Sequence, residues 1–265
     1  MQFGFVVPWA DAAEIGDLAA AAEMHGWDGL FVWEPVWGVD AWVSLAVAAT
    51  RTTSIRLGTM ITPLPRRKPW ELASQVATVD RLSNGRVVLG VGLGAPDAGY
   101  AEFGEITDRR IRAELLDEGL AVLRGLWAGQ PYEFSGTHYT LRPSEFPAIG
   151  HTVQQPGVPI WCVGALGSDK SMRRALGCDG LIPQVVADGT ARSATLHELH
   201  EFVATTALPA GYDIVVEGPA VEHSPAAWAD AGATWWLESM WAAMADPDPV
   251  DAAMARLAAG PPALA

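Results

Sequence analysis

One carboxylate in this chain directly follows a strongly apolar segment. Glu34 comes immediately after residues 29–33, which read Gly-Leu-Phe-Val-Trp. An apolar environment disfavours the charged form of a carboxyl group, so Glu34 could act as a catalytic acid or base. Alternatively, Glu34 accepts backbone hydrogen bonds and orders its loop. The nearby Asp40 precedes a helical pattern, and we interpret it first as a helix N-cap.

The other residues that follow apolar runs are mostly small or apolar. They include residues 59–62, Gly92, Gly94, Asp97, Tyr100, Gly164, Gly167, Ser168, Lys170, Pro183, Gln184, Glu217 and Glu238. This set lacks a nucleophile–histidine pair and a row of carboxylates for a metal ion. It therefore favours a planar aromatic cofactor that performs the chemistry itself, and we predict no metal site. We expect Trp37, Asp97 and Tyr100 to line the substrate pocket.

Two weaker motifs do not support other sites. Residues 90–95 match a loose dinucleotide fingerprint, but Pro96 and Gly99 follow, whereas the fingerprint requires a helix there. His197 and His200 share one helix face, but the sequence offers no obvious third metal ligand. We interpret the two histidines as part of a solvated helix face.

Short apolar runs alternate with helical patterns along the whole chain. The predicted strands are 3–8, 29–33, 55–61, 87–93, 159–163, 181–185, 212–216 and 233–237. The predicted helices are 13–27, 42–50, 70–82, 109–126, 170–176, 191–206, 226–231 and 250–259. Residues 129–157 are rich in Pro, Gly and aromatic residues and are predicted to form an irregular insertion over one face.

About eight strand–helix steps predict the fold class, α/β. Continuously apolar strands indicate a parallel sheet covered by helices, and the absence of a composition break favours a closed (β/α)8 TIM barrel over an open doubly wound sheet. Such a barrel needs about 250 residues, so the 265 residues suit a single domain, 1–265. Active sites of these barrels lie at the carboxyl ends of the strands, which is where the candidate residues fall.

Composition excludes several other classes of protein. A formal net charge of −14 argues against nucleic-acid binding, and the short basic run at 66–68 lies between two prolines. Two cysteines make no disulfide framework, and both are interpreted as small buried residues. No segment approaches about 18 uninterrupted apolar residues, and the first residues do not resemble a signal peptide. We therefore expect a cytoplasmic protein without a membrane span.

Residues 55–94 carry a specific pattern that resembles the luciferase-like monooxygenase family, the flavin- or deazaflavin-dependent barrel oxidoreductases. The matching segments are Leu57-Gly58-Thr59, residues 79–83 (Val-Asp-Arg-Leu-Ser), Gly85-Arg86, and Gly90-x-Gly92-x-Gly94. Residues 116–120, 125–127 and 134–139 add support. The resemblance covers about the first 180 residues well and the rest loosely.

The resemblance implies a cofactor, either FMN or the deazaflavin coenzyme F420, which the sequence does not separate. Its ring would lie against the third and fourth strands, where small residues let backbone approach a flat ring. Its phosphate would lie on backbone amides after the fifth strand, at a helix N-terminus. The implied cofactor-binding residues are Gly58, Thr59, Met60, Ile61, Gly92, Gly94, Gly164, Ala165, Leu166, Gly167 and Ser168. In the family, a bulge at the third strand sometimes includes a cis non-proline bond, and its counterpart is Thr59–Met60 or Met60–Ile61.

The chain departs from the family pattern at three positions. Many members have a catalytic histidine after the acidic residue of the second strand, where this chain has Pro35. Some members bind phosphate with an arginine at the position of Leu93, and those that oxidise sugar phosphates have a glutamate at the position of Ala95. These differences argue against luciferase activity and against sugar-phosphate dehydrogenation.

Two functions of different classes remain. The first is an oxidoreductase or monooxygenase that acts on a small organic substrate by hydride transfer or flavin-hydroperoxide chemistry, with Glu34 as its candidate catalytic residue. The second is a non-catalytic flavin-binding barrel that has lost the histidine. Members of the family are commonly homodimers, and twelve tryptophans are compatible with an interface.

Overall fold

A computed structural model of the chain describes residues 1–95, 98–143, 151–187, 190–218 and 224–264. Strands and helices alternate along these residues. The strands are β1 (Gln2–Val7), β2 (Gly29–Val32), β3 (Arg56–Thr59), β4 (Thr62–Pro63), β5 (Val87–Gly92), β6 (Phe134–Ser135), β7 (Thr140–Leu141), β8 (Ile160–Leu166), β9 (Gly180–Ala187), β10 (Thr190–Ser193), β11 (Asp213–Gly218) and β12 (Trp235–Ser239). The α-helices are α1 (Ala12–Met24), α2 (Ala41–Arg51), α3 (Pro69–Leu82), α4 (Arg109–Ala128), α5 (Asp169–Leu176), α6 (Leu196–Thr205), α7 (Pro225–Asp230) and α8 (Pro249–Ala258).

Eight parallel strands close into a barrel. The hydrogen-bonded order is β1, β2, β3, β5, β8, β9, β11 and β12, and β12 pairs with β1. Each of these strands is followed by a helix, as in a (β/α)8 barrel. The prediction of a closed barrel rather than an open sheet is therefore confirmed.

Alternating side chains divide the core into two parts. Outward-facing residues such as Phe5, Leu30 and Leu89 pack against the helices in one large cluster. Inward-facing residues fill the barrel, where Phe31 lies 5.3 Å from Trp161 and 6.0 Å from Trp235, measured between ring centroids. Because side chains on a strand alternate between its faces, this filling fixes which residues at the strand ends face the barrel axis.

The Gly85-Arg86 motif is structural in this chain. The Arg86 guanidinium is buried and donates five hydrogen bonds, to the carbonyl oxygens of Ser83, Ile55, Ala49 and Thr52 and to the Thr52 hydroxyl. These acceptors lie at the amino-terminal end of the barrel, opposite the predicted site. Arg86 therefore joins α2, the loop before β3 and the turn after α3.

Two predicted segments differ in the structure. The helix predicted over 191–206 was wrong at its start: Thr190–Ser193 is a strand antiparallel to β9, and α6 begins at Leu196. Thr195 caps α6 through a capping box with Glu198, which fixes the later start. The insertion at 129–157 contains the hairpin β6–β7, which packs its Phe134 and Tyr139 on α4, and residues 144–150 of it lie outside the described residues.

None of the helices that the structure describes is long and apolar enough to cross a membrane. Over the same ranges, no group of three or more His, Cys, Asp or Glu side chains is arranged to hold a metal ion.

Candidate active site

The carboxyl ends of the eight barrel strands form a rim that we call the mouth. Strand alternation decides which residues face it. On β11, Val215 lies inside the barrel and Val216 outside, so Glu217 faces inward. On β12, Leu237 lies inside and Trp236 outside, so Ser239 faces inward and Glu238 outward. The same rule applied to Ile182 of β9 places Gln184 inside the mouth.

The floor of the mouth is apolar around Gly92. The side chains of Ile61 and Val163 are partly exposed and pack on the inner cluster. A Cβ atom on Gly92 would lie 2.6 Å from Cδ1 of Ile61 and 3.0 Å from Cγ2 of Val163. A side chain at this buried position would therefore collide with both residues, so Gly92 lets Ile61 and Val163 close over the strand end and form the floor.

The third strand is interrupted at its carboxyl end. β3 ends at Thr59, the Met60–Ile61 peptide is cis, and β4 resumes the pairing with β5 at Thr62. The cis bond lies at one of the two positions that the family resemblance indicates. The Thr59 hydroxyl donates to the Gly90 carbonyl, with 3.1 Å between the oxygens, and the Thr62 hydroxyl donates to that of Thr59 at the same distance. These bonds fix the backbone that presents Met60 and Ile61 to the mouth.

The carboxylate of Glu34 is tied to arginines. Its side chain is only 6% exposed, and its Oε1 atom lies 3.2 Å from Nη2 of Arg66 and 3.6 Å from Nη1 of Arg67. Arg66 also donates to the Pro35 carbonyl. Burial raises the pKa of Glu34, and Arg67 and Arg66 oppose that shift. The side chain therefore orders its loop through arginines rather than through backbone amides, and its role as an acid or base stays a prediction.

Tyr100 lies between two guanidinium groups. The centre of its ring is 5.5 Å from Cζ of Arg66 and 5.6 Å from Cζ of Arg112. A Cβ atom on Gly94 would lie 1.8 Å from the Tyr100 hydroxyl oxygen, and Gly94 has a φ of +78°, so a glycine is required there. Arg112 donates to the carbonyls of both Leu93 and Gly94. We call Glu34, Arg66, Tyr100 and Arg112 the arginine cluster.

The arginine cluster is incompletely paired. Among the described residues, four of its buried atoms have no hydrogen-bond partner: Oε2 of Glu34, Nε of Arg66, the hydroxyl of Tyr100 and Nε of Arg112. The guanidinium groups of Arg66 and Arg112 are largely buried on the Tyr100 ring, and the one carboxylate of the cluster, Glu34, pairs with Arg66. The cluster therefore holds one more guanidinium group than carboxylate, although the charge of Glu105 also acts on Tyr100.

The residues of the predicted phosphate loop, 164–168, differ in how exposed they are. A Cβ atom on Gly164 would meet Leu181, Ala175 and Met172, so Gly164 permits close packing of β8 against α5. Ala165 is buried in the mouth wall and Leu166 packs outward. By contrast, Gly167 and Ser168 are exposed, Gly167 has a φ of +81°, and α5 begins directly afterwards. Of this loop, only Gly167 and Ser168 present exposed backbone.

The predicted pocket residues are not brought together. Trp37 is 81% exposed on the loop before α2, whereas Tyr100 is 1% exposed within the arginine cluster. Asp97 lies outside the described residues. Gly58 is also remote from the mouth surface, since a Cβ atom there would meet the Val88 carbonyl and Phe31. A small depression open to solvent lies beside Trp33 and is lined also by Val7, Trp9 and Pro35.

Glu217 lies at the end of β11, three strands round the barrel from β2 and Glu34. Its Oε1 atom accepts a hydrogen bond from Nε1 of Trp241 at 2.5 Å. The Trp241 ring meets Trp33 edge to face, with 6.1 Å between centroids, and Trp33 in turn donates to the Pro8 carbonyl at 2.7 Å. Burial raises the pKa of Glu217, while hydrogen bonds from Trp241 and Ser239 lower it in part.

Sequence reasoning missed three residues of this region. Arg66 was treated only as part of a basic run, although its place directly after the third strand could have marked it as a site residue. Arg112 lies three and four residues before Leu115 and Leu116 on the buried stripe of α4, so the helical period could have marked it as a buried charge. Trp241 follows the last strand by two residues, and its partner Glu217 could not be recognised without the fold.

The closed barrel, with its candidate residues at the carboxyl ends of the strands, belongs to the class of (β/α)8 barrels whose sites lie at that end. The model of the luciferase-like monooxygenase family matches residues 1–261, so the chain belongs to this family. Among curated relatives, an F420-dependent glucose-6-phosphate dehydrogenase of Mycobacterium avium is 37% identical over 163 residues, which are 56% of this chain and 46% of the relative. The chain thus spans about half the length of the F420-dependent relatives it matches.

Solved structures agree on the fold. An F420-dependent secondary alcohol dehydrogenase in complex with an F420–acetone adduct has a TM-score of 0.74 at 18% identity and covers 100% of this chain and 99% of its own. The oxygenating constituent of 3,6-diketocamphane monooxygenase from Pseudomonas putida, in complex with FMN, has a TM-score of 0.65 at 19% identity and covers 83% and 67%. Both place the chain in the same luciferase-like barrel fold.

Proposed function

We propose that this protein is an oxidoreductase that binds a flavin or deazaflavin ring in the mouth and acts on a small organic molecule. The observation that carries the proposal is the apolar floor that Ile61 and Val163 form over Gly92, in a chain of the luciferase-like monooxygenase family. A flat ring needs an apolar surface without a protruding side chain, and this floor provides one.

The residues present also fit the anionic end of such a cofactor. The arginine cluster gives the carboxyl end of β5 a surplus of buried positive charge, and β8, with the exposed Gly167 and Ser168, is its neighbour in the barrel. A helix N-terminus favours a phosphate, although the Ser168 amide already donates to the Ala165 carbonyl and Asp169 in the first turn of α5 opposes an anion. The cofactor would supply the hydride or activate oxygen, and the protein would orient it and exclude water.

Of the two cofactors, we favour the deazaflavin and hydride transfer. The curated relative at 37% identity is named for its dependence on F420, whereas the FMN-bound structure is similar at only 19% identity. Monooxygenation through FMN is the second candidate for the same site.

A homodimer in the cytoplasm remains part of the proposal. Val43 of α2 and Trp70 of α3 are 59% and 39% exposed, and these two helices lie side by side, so they offer an apolar face to a second copy. Light scattering at several protein concentrations tests this, and a monomer mass throughout would contradict it.

Cofactor binding is tested by titrating the purified protein separately with oxidised F420 and with FMN and following cofactor fluorescence. We expect saturable binding of F420 for the wild type and none for Gly92→Leu, because the leucine would displace Ile61 and Val163 from the floor into the ring's place. Gly177→Leu is the matched control: Gly177 is exposed, and a Cβ atom there makes only ordinary contacts of 3.4 Å or more.

The titration separates the possible outcomes. Both variants should keep the far-ultraviolet circular dichroism of the wild type. Wild-type binding of neither cofactor at high micromolar concentration would end the proposal, and undiminished binding by Gly92→Leu would show that the ring lies elsewhere.

A further inference from the structure

Three carboxyl groups lie at the ends of barrel strands, and their surroundings differ. Glu34 is buried against Arg66 and Arg67. Glu238 faces away from the barrel axis and pairs with Arg256 of α8. Glu217 faces the mouth and, among the described residues, has only neutral hydrogen-bond donors. Of the three, Glu217 is therefore the carboxyl group that has no arginine partner among the described residues.

Among the described residues, the groups that face Glu217 from the neighbouring strands are uncharged. β12 and the turn after it contribute Ser239 and Trp241, and β9 contributes Gln184 at its inward position. Burial therefore raises the pKa of this carboxyl group with no compensating cation on a described residue, which favours the protonated acid.

The surface beside Glu217 is aromatic. Trp241 spans from Glu217 to Trp33 at the end of β2. A molecule bound in the mouth against these two rings would contact indole on one side and the Glu217 carboxyl group on the other. Neutral carbonyl compounds and alcohols match this chemistry, whereas an anionic sugar phosphate would meet Glu217 without a cation among the described residues.

We propose that Glu217 is the catalytic acid and base of this protein and that its substrate is a neutral carbonyl compound or the corresponding alcohol. This inference rests on the proposed function, because the hydride must come from the bound cofactor.

The proton balance follows from these roles. In the reducing direction, a hydride supplied by the reduced cofactor adds to the carbonyl carbon as the C=O π bond breaks, and the carboxyl proton of Glu217 moves to the carbonyl oxygen. A C–H and an O–H bond form, the cofactor is left oxidised, and the Glu217 carboxylate takes up a proton from solvent. In the oxidising direction, the carboxylate accepts the hydroxyl proton.

The first test needs neither cofactor nor substrate. Protein labelled with [5-¹³C]glutamate is titrated by NMR, and the Glu217 signal is the one absent from Glu217→Gln. We expect its midpoint to lie above that of Glu133, which is exposed and is assigned in the same way with Glu133→Gln. A Glu217 midpoint equal to or below that of Glu133 would overturn the proposal, because an ordinary carboxylate holds no proton to donate at neutral pH.

The second test measures turnover against pH. Wild type with reduced F420 is given acetone, cyclohexanone or cyclohex-2-enone, with glucose 6-phosphate as the charged comparison. We expect kcat to fall as pH rises through the Glu217 midpoint, since only the protonated acid donates. Glu217→Gln should lower kcat by about 10²-fold and abolish that fall. Trp241→Phe should shift the fall to higher pH, because it removes a hydrogen bond that stabilises the carboxylate.

The outcomes are distinguishable from those of the proposed function. Failure to bind either cofactor would refute the proposed function, whereas the NMR midpoint would still be measured independently. Cofactor binding together with an unchanged pH profile in Glu217→Gln would refute only the role of Glu217. Turnover of glucose 6-phosphate but of none of the neutral carbonyl probes would refute the substrate class.

Discussion

Glu34 and Glu217 show how the same side chain acquires different roles from its neighbours. Both end a barrel strand, and burial raises the pKa of each. Glu34 offsets the charge of Arg66 within the arginine cluster, so its negative charge is needed to keep that cluster together. Glu217 offsets no charge on a described residue, so its proton is free for use in chemistry.

Substitution of Glu34 by glutamine tests the structural role. The change keeps the shape but leaves Arg66, whose side chain is 8% exposed, without a counter-charge. Removing one partner of a buried ion pair costs about 3–5 kcal/mol, so we expect Glu34→Gln to lower the free energy of unfolding by about 3 kcal/mol. Urea denaturation measures this, with Glu133→Gln as the exposed control. A loss below about 1 kcal/mol would show that the pair is not structural.

The individual elements divide into two functional groups. The carboxyl ends of the strands carry the mouth, whereas the amino-terminal ends are held by buried polar contacts such as those of Arg86 and of Asp80, whose carboxylate accepts from the amides of Val153 and Gln154. Part of the family pattern, including Gly85-Arg86, thus belongs to the stabilising end of the barrel rather than to the site.

Arg86→Lys tests that division. A lysine has three donors on one nitrogen and cannot reproduce the five bonds of the planar guanidinium, so buried carbonyls would lose their partners. We expect about 3 kcal/mol less stability in urea denaturation, with unchanged affinity for the cofactor. Arg81→Lys is the matched exposed control. Weaker cofactor binding by fully folded Arg86→Lys protein would contradict this division between the two ends of the barrel.

Strands and helices could be predicted from the sequence where a local residue pattern determines them. Apolar runs and helical periods locate all eight barrel strands and all eight helices of the described residues, and the glycine pattern marks the floor at Gly92. The strand at Thr190–Ser193 was missed although residues 188–189 read Asp-Gly, a dipeptide typical of two-residue hairpin connections. For Arg112, the helical period indicates the burial, but its acceptors Leu93 and Gly94 lie on another element and could not be predicted.

At the scale of the molecule, eight similar strand–helix steps predict a closed barrel. They do not predict how the residues of the mouth lie relative to one another. Glu34, Arg66 and Tyr100 come from separate loops and meet only when β2, β3 and β5 lie side by side. The sequence therefore indicates which end of the barrel holds the site, while the pairing of charges within it depends on the three-dimensional arrangement.

The chain also has a long-range contact whose strength depends on pH. Glu23, near the end of α1, accepts hydrogen bonds from the amides of Thr53, Ser54 and Ile55 in the loop before β3. Burial alone would raise the pKa of Glu23, but these bonds and one from the Ser54 hydroxyl outweigh burial and lower it to about 2. The carboxylate form therefore holds α1 against the loop between α2 and β3.

This depressed pKa predicts how stability changes in acid. Because the folded-state pKa lies below the ordinary value of 4.5, the contribution of Glu23 is fully present above about pH 4.5 and is lost as the pH falls towards 2. We expect Glu23→Gln to be less stable than the wild type at pH 7 and to differ from it progressively less between pH 4.5 and 2, measured by urea denaturation across that range. Glu133→Gln should track the wild type throughout. A constant difference between Glu23→Gln and wild type at every pH would mean that the amide bonds, rather than the charge of the carboxylate, carry the contact.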